Sequence, residues 1–302
     1  MSRWQYNKKV GEHRRSWLTA TGAVLIGTAV MLTGVRPERA DSQQMPALPT
    51  TKDLAAPGSP VLNSSAVYVP AHVDGAPVLL ALHGQAGTGP GIAQRLRECA
   101  ERNGWLLIAP TLAYRDFLDP DQVRQDGEEN LPAVHALLDQ VRAAMGLQAN
   151  PRVFVYGFSR GAQMAHLFAM TYPHEVLAVA ALSAGSYTLP EDEDASHAPL
   201  DYPFGVADLE SVTGESFDSD AFMEIPFWIG VGAADTNPLD IGRAWDPYEG
   251  QTRVERAQAF AAQLAANGAA VSVNMFSGVG HEETASMRAA ACAFLAAHRR
   301  GA

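Results

Sequence analysis

Residues 157–161 read Gly-Phe-Ser-Arg-Gly, a Gly-x-Ser-x-Gly pattern between an apolar run at 153–156 and a helix-like run at 162–172. A sharp strand-to-helix turn is crowded, and Gly157 and Gly161 remove side chains that would clash there. Such a turn exposes Ser159 at the carboxyl edge of a sheet. The helix behind it adds partial positive charge where a tetrahedral oxyanion would form. The chemistry this suggests is nucleophilic attack by a hydroxyl; the plain alternative is a serine that only caps a helix.

A serine hydroxyl needs a base, and the base needs an orienting carboxylate. Of nine histidines, His281 closely follows the last apolar run, in Gly278-Val279-Gly280-His281, a flexible loop able to reach the serine. His83 is a second candidate, but Leu82-His83-Gly84-Gln85 follows an early run, where backbone donors to the oxyanion are expected. His83 is therefore assigned to substrate contact. The carboxylate is Asp235, directly after 229–234, with Asp240 and Asp246 in reserve along the same loop. An Asx turn or helix cap with Thr236 and Asn237 is the competing account of Asp235. The backbone N–H groups of Gln85 and Arg160 are expected to face the developing negative charge. The glycine-rich stretch 83–89 could hold phosphate instead, but no Gly-Lys-Ser/Thr or Gly-x-Gly-x-x-Gly follows it.

These groups need a frame. Short apolar runs at 66–70, 77–82, 105–108, 153–156, 176–182, 225–231 and 271–276 read as strands. Helical spacing marks 92–102, 131–145, 162–172, 254–266 and 283–298. Strands alternating with helices predict a mostly parallel, twisted sheet with helices on both faces. Residues 111–130 and 184–224 break the rhythm, and stretches that long carry function or small elements of their own. The second is expected to form a short insert over the site, because it precedes the strand bearing Asp235. Tyr202 and Phe204, flanking Pro203, and Trp245 in the loop after Asp235 are expected to touch substrate. The acidic run 191–194 reads as solvated surface, and Arg160 is expected to pair with a neighbouring acid in preference to a substrate carboxylate.

Taken together, Leu82-His83-Gly84, Gly157-Phe158-Ser159-Arg160-Gly161-Ala162, Ala184-Gly185-Ser186-Tyr187-Thr188, Val231-Gly232-Ala233-Ala234-Asp235-Thr236 and Gly280-His281 resemble the α/β-hydrolases over residues 61–302. The chain order Ser159, Asp235, His281 is the order of that superfamily. Within it, the chain is similar to the secreted esterases related to polyhydroxybutyrate depolymerases and to feruloyl or acetylxylan esterases. The resemblance implies hydrolysis of a small-molecule or polymer carboxylic ester without a cofactor. Two positions depart from the depolymerase pattern. Ala162 stands where a second glycine is usual, and Arg160 beside the nucleophile is uncommon. A peptidase or acyltransferase using the same three residues is an alternative, and so is a non-catalytic binding protein on a hydrolase fold.

The hydrophobic share of 47% over 302 residues suits a globular chain with a sizeable core. Two cysteines exclude a cysteine-rich zinc module, and no metal is expected. Residues 1–40 hold 7 of the 22 Lys and Arg but 2 of the 33 Asp and Glu, which leaves 15 basic against 31 acidic residues in the body. So acidic a body repels phosphate backbones, and no nucleic-acid partner is expected. Lys8, Lys9, Arg14 and Arg15 precede an uncharged run at 17–35, the layout of an export signal, and 14–18 resembles the twin-arginine type. The run is also near the length of a membrane span, so 1–40 is either an export signal or an anchor; the anchor would be the one membrane contact. Both place the body outside the cytoplasm. Residues 41–60, with four prolines, read as a linker. In an oxidising compartment Cys99 and Cys292, on helices expected to share one face of the sheet, could form a disulfide; otherwise both are small buried hydrophobes.

Overall fold

The computed structural model describes residues 65–70, 77–145 and 152–299. The expected export segment or anchor at 1–40, and the expected linker up to residue 60, lie outside the described residues. Among the described residues no helix is long and apolar enough to cross a membrane.

Among the described residues seven strands form one sheet: β1 (Ala66–Tyr68), β2 (Val78–Leu82), β3 (Leu106–Ala109), β4 (Val153–Phe158), β5 (Val176–Leu182), β6 (Phe227–Gly232) and β7 (Val271–Phe276). Their order is β1-β3-β2-β4-β5-β6-β7. β1 pairs antiparallel with β3, and the remaining pairs are parallel. The central strands read VLLAL, LLIA and VLAVAAL because both of their faces are covered, so neither face can be polar.

Among the described residues eight α-helices accompany the sheet: α1 (Gly89–Asn103), α2 (Pro120–Ala144), α3 (Arg160–Thr171), α4 (Leu209–Thr213), α5 (Ser219–Met223), α6 (Asp246–Glu249), α7 (Arg253–Ala266) and α8 (Ala285–Ala297). On one face Leu80, Leu82, Val155 and Val179 pack with α2, α3 and α7 through Leu138, Phe168 and Phe260. On the other face Leu79, Phe154, Tyr156 and Trp228 pack with α1 and α8 through Leu96, Met287 and Leu295. Cys99 of α1 and Cys292 of α8 are bridged, with Cα atoms 6.1 Å apart and a sequence separation of 193. In the chain-entropy model a loop of that size stabilises the fold by about 5 kcal/mol before native strain is subtracted.

The structure corrects the reading of 111–130 as an irregular break, because α2 already begins at Pro120. Asp119 caps it, accepting from the Asp121 N–H, and proline stands at the first helical position. Its early turns face inward with Asp126, Gly127 and Asn130, so the apolar period that signals a helix is missing there. Gly127 is required by packing, since a Cβ would lie 2.6 Å from the Tyr202 hydroxyl. The stretch 184–224 carries α4 and α5 as elements of its own.

Candidate active site

β4 ends at Phe158 and α3 begins at Arg160, leaving Ser159 to make the whole turn at φ +54°. A non-glycine residue there is strained and persists only if its surroundings enforce it. They do. The Ser159 N–H donates to Leu182 O at 2.8 Å. A Cβ on Gly157 would lie 2.1 Å from Gly161 O, and one on Gly161 would lie 2.0 Å from Leu82 O. Ser159 occupies the cap position of α3, yet its side chain caps nothing, so a helix-capping role does not account for it. Its hydroxyl lies 3.0 Å from His281 Nε2.

His281 sits beyond the end of β7, its ring stacked on Phe158 at 5.2 Å between centroids. Its Nδ1 lies 2.9 Å from Asp235 Oδ2. With the proton assigned to Nδ1, the ring donates to the carboxylate and leaves Nε2 to accept from the serine. Asp235, 3% exposed, is carried by the turn after β6, where the Ala233 and Ala234 N–H groups donate to Phe276 O and Val279 O. These bonds tie the loop of Asp235 to the loop of His281. The structure thus brings Ser159, His281 and Asp235 into one chain of hydrogen bonds. Asp246 is held elsewhere by Arg256 and Arg243, while Asp240 lies at the cleft and offers its main-chain carbonyl to Arg253.

Gly84, Gln85, Arg160, Ser159 and His281 all line one cleft of about 380 Å³. Arg160 is the first residue of α3, so its N–H is among those that find no carbonyl within the helix. The Gln85 side chain turns away, its amide donating to Tyr114 O and Arg115 O. The Arg160 guanidinium pairs with buried Asp126 at 2.5 Å, bonds Gln163 and lies 5.1 Å from the Tyr114 ring centroid. The sequence expectation of a neighbouring acid is met there.

Four residues expected at substrate stand elsewhere. His83 is buried; its Nε2 accepts from the Leu112 N–H and its Nδ1 faces Gly84 O at 2.7 Å, so both ring nitrogens are used inside the fold. Burial pushes its pKa down, consistent with a neutral ring. Tyr202 is buried under α2 at Gly127. Trp245 is buried with its indole N–H towards Pro203 O, and Phe204 packs against Trp245 and Tyr248. These aromatics do not line the cleft: Tyr202 joins the main core on the α2 face, and Phe204 and Trp245 pack on each other. The lining residues missed by sequence reasoning are Phe117, Gln163, Leu239, Gly242 and Arg253, while Asp240 was named there only as a reserve for the carboxylate. Phe117 falls in the stretch 111–130 and Leu239 in the loop after Asp235, so an apolar residue in a long polar loop was the available signal.

Arg256 was also missed. It is fully buried and donates to Gly185 O, Gly242 O, Gly250 O and Asp246, fixing two stretches of cleft backbone. Beside it Glu249 accepts from the Tyr187 N–H, and burial pushes its carboxyl well above the usual range.

His166 fastens the insert's first residues: its Nε2 accepts from the Thr188 N–H at 2.8 Å and its Nδ1 faces Ala162 O. Burial pushes its pKa from 6.5 down to about 4. As pH falls through 6.5 the unfolded chain takes up this proton while the folded chain does not. His166's contribution is complete above pH 6.5 and is lost progressively towards pH 4, about 3 kcal/mol in all. Urea unfolding between those limits should show wild type losing that much more stability than His166→Asn. Parallel profiles would refute it.

No family model matches the chain, and no curated protein matches it. Solved structures do. The seven-stranded, mostly parallel sheet with its single antiparallel edge pair is the α/β-hydrolase fold. The chain is similar to poly(aspartic acid) hydrolase-1 from Sphingomonas sp. KT-1, with TM-score 0.60 and 22% identity, over 76% of this chain and 92% of that one. It is similar to the poly(3-hydroxybutyrate) depolymerase LpqC from Bordetella parapertussis, with TM-score 0.59 and 21% identity, over 76% and 82%. Esterase PE8 gives TM-score 0.54 and 18% identity, over 77% and 97%. At these identities the likeness is one of fold.

Proposed function

We propose that the chain is a serine hydrolase that cleaves carboxylic esters through an acyl-enzyme. The observation that carries this is the relay from the Ser159 hydroxyl to His281 Nε2 at 3.0 Å and from His281 Nδ1 to Asp235 at 2.9 Å, opening onto a cleft. In this reading Ser159 Oγ attacks the ester carbonyl while His281 takes its proton. The N–H groups of Gln85 and Arg160 receive the charge that develops on the carbonyl oxygen. The alcohol leaves with the proton from His281. Water, deprotonated by the same ring, then releases the acid and restores the serine. Asp235 holds the ring in the tautomer that leaves Nε2 free to accept. Structural neighbours named as a depolymerase and an esterase support an ester as the bond cut.

The test is chemical. The purified chain should be labelled by a fluorophosphonate at Ser159 and should turn over p-nitrophenyl acetate faster than an aminoacyl arylamide. Preference for the arylamide would make it a peptidase. Absence of labelling on folded protein would leave a binding protein.

A further inference from the structure

Asp235 has two oxygens, and His281 uses one of them. The other, Oδ1, accepts from Arg253 Nη1 at 3.0 Å, and Arg253 is itself buried. The same guanidinium gives its Nη2 to Asp240 O at 2.7 Å. Arg253 stands at the first position of α7, behind Thr252, whose side chain accepts from the Glu255 N–H while Glu255 accepts from the Thr252 N–H. That reciprocal cap fixes the backbone from which the arginine reaches.

We infer that Arg253 is a positioning residue for the catalytic acid, an assignment that rests on the hydrolase reading above. A planar, charged fork satisfies the carboxylate oxygen that the imidazole does not use. With Oδ1 held, the carboxylate cannot rotate to exchange its oxygens, and Oδ2 stays aimed at His281 Nδ1. The second arm holds the loop five residues on, where Leu239, Asp240 and Gly242 form part of the cleft wall. One side chain therefore sets the acid's rotamer and the wall beside it. A compact ammonium at this place keeps the charge but cannot grip both acceptors in fixed geometry.

The experiment is a double-mutant cycle. Arg253→Met, Arg253→Lys, Asp235→Asn and the two corresponding doubles are compared for p-nitrophenyl acetate turnover and for the rate of fluorophosphonate labelling, which stays measurable when turnover is slow. Arg253→Met should lower kcat by about tenfold or more and change KM by less than about threefold, with Arg253→Lys intermediate. In the Asp235→Asn background the same changes should cost less than about twofold, because the group through which Arg253 acts is gone. Where Arg253→Met does not fold, the lysine arm of the cycle gives the same comparison.

Equal losses in both backgrounds, or a rise in KM alone, would overturn the assignment and leave Arg253 as a brace for the cleft wall. Absence of turnover and labelling in the folded wild-type chain would overturn the hydrolase reading, and turnover that survives Ser159→Ala, run as a control, and Asp235→Asn would overturn the roles given to those residues; either result takes this assignment with it. Full losses at those two residues with none at Arg253 would overturn the assignment alone.

Discussion

Ser159→Ala should abolish ester turnover, by on the order of 10⁴- to 10⁶-fold, with the fold unchanged. The magnitude follows from the proposed role: without Oγ no acyl-enzyme forms, and only the residual rate from bound substrate and oxyanion donors survives. The stability argument is separate. Ser159 is 8% exposed, its side chain caps nothing, and the bond that ties it to β5 comes from its backbone N–H. Alanine meets the same penalty as serine at φ +54°, so the strain cancels between the two proteins. Unfolding free energies from urea titration should agree within about 0.5 kcal/mol. A variant keeping more than a few per cent of activity would remove the nucleophile from Ser159.

The second large effect is expected at the acid. Asp235→Asn should lower kcat by roughly 10⁴, because an amide no longer holds His281 in the tautomer whose Nε2 accepts from the serine. The variant also leaves the buried Arg253 guanidinium without its carboxylate, which should cost stability on the order of 3 kcal/mol. The two losses are read by different measurements, kinetics and urea unfolding. Asp240→Asn should change kcat by less than about tenfold, since the Asp240 atom that Arg253 grips is a main-chain carbonyl the substitution keeps. A small effect at Asp235 beside a large one at Asp240 would move the acid role along the loop.

Much of the frame was legible because strands covered on both faces must be apolar throughout. Runs such as 176–182 announced themselves and ended where the structure ends them. The elbow at Ser159 was legible because its two glycines answer a local steric demand. The chain order of Ser159, Asp235 and His281 followed from the architecture. The start of α2 was hidden because Asp126, Gly127 and Asn130 face partners far away in sequence, Arg160 and Tyr202 among them. Arg253 and Arg256 were hidden for the same reason: on a helix pattern they look like solvated charges, and only the folded chain brings Asp235, Gly185 and Gly242 to them. Tyr202, Phe204 and Trp245 misled because an aromatic in a long connection fits a substrate wall and the packed interior equally well.

At the elbow, Gly157 touches Gly161, Gly161 touches the carbonyls of Leu82 and His83, and a Cβ on Gly84 would lie 3.1 Å from Ser159 Cβ. The turn of Ser159 and the loop of Gly84 therefore form one closed circuit of close contacts. A side chain added at Gly157 or Gly161 must push main chain aside, and the displacement passes around the circuit to the reacting centre. Leu239 is the opposite case, 81% exposed on the outer lip of the cleft, with Phe117 half-buried in the same lining. Evolutionary drift thus meets a molecule with two unequal halves. Substitutions at the lip can retune what is admitted in small, separately tolerable steps, whereas the centre can change only by several coordinated moves at once, which a lineage accumulating single mutations will seldom make.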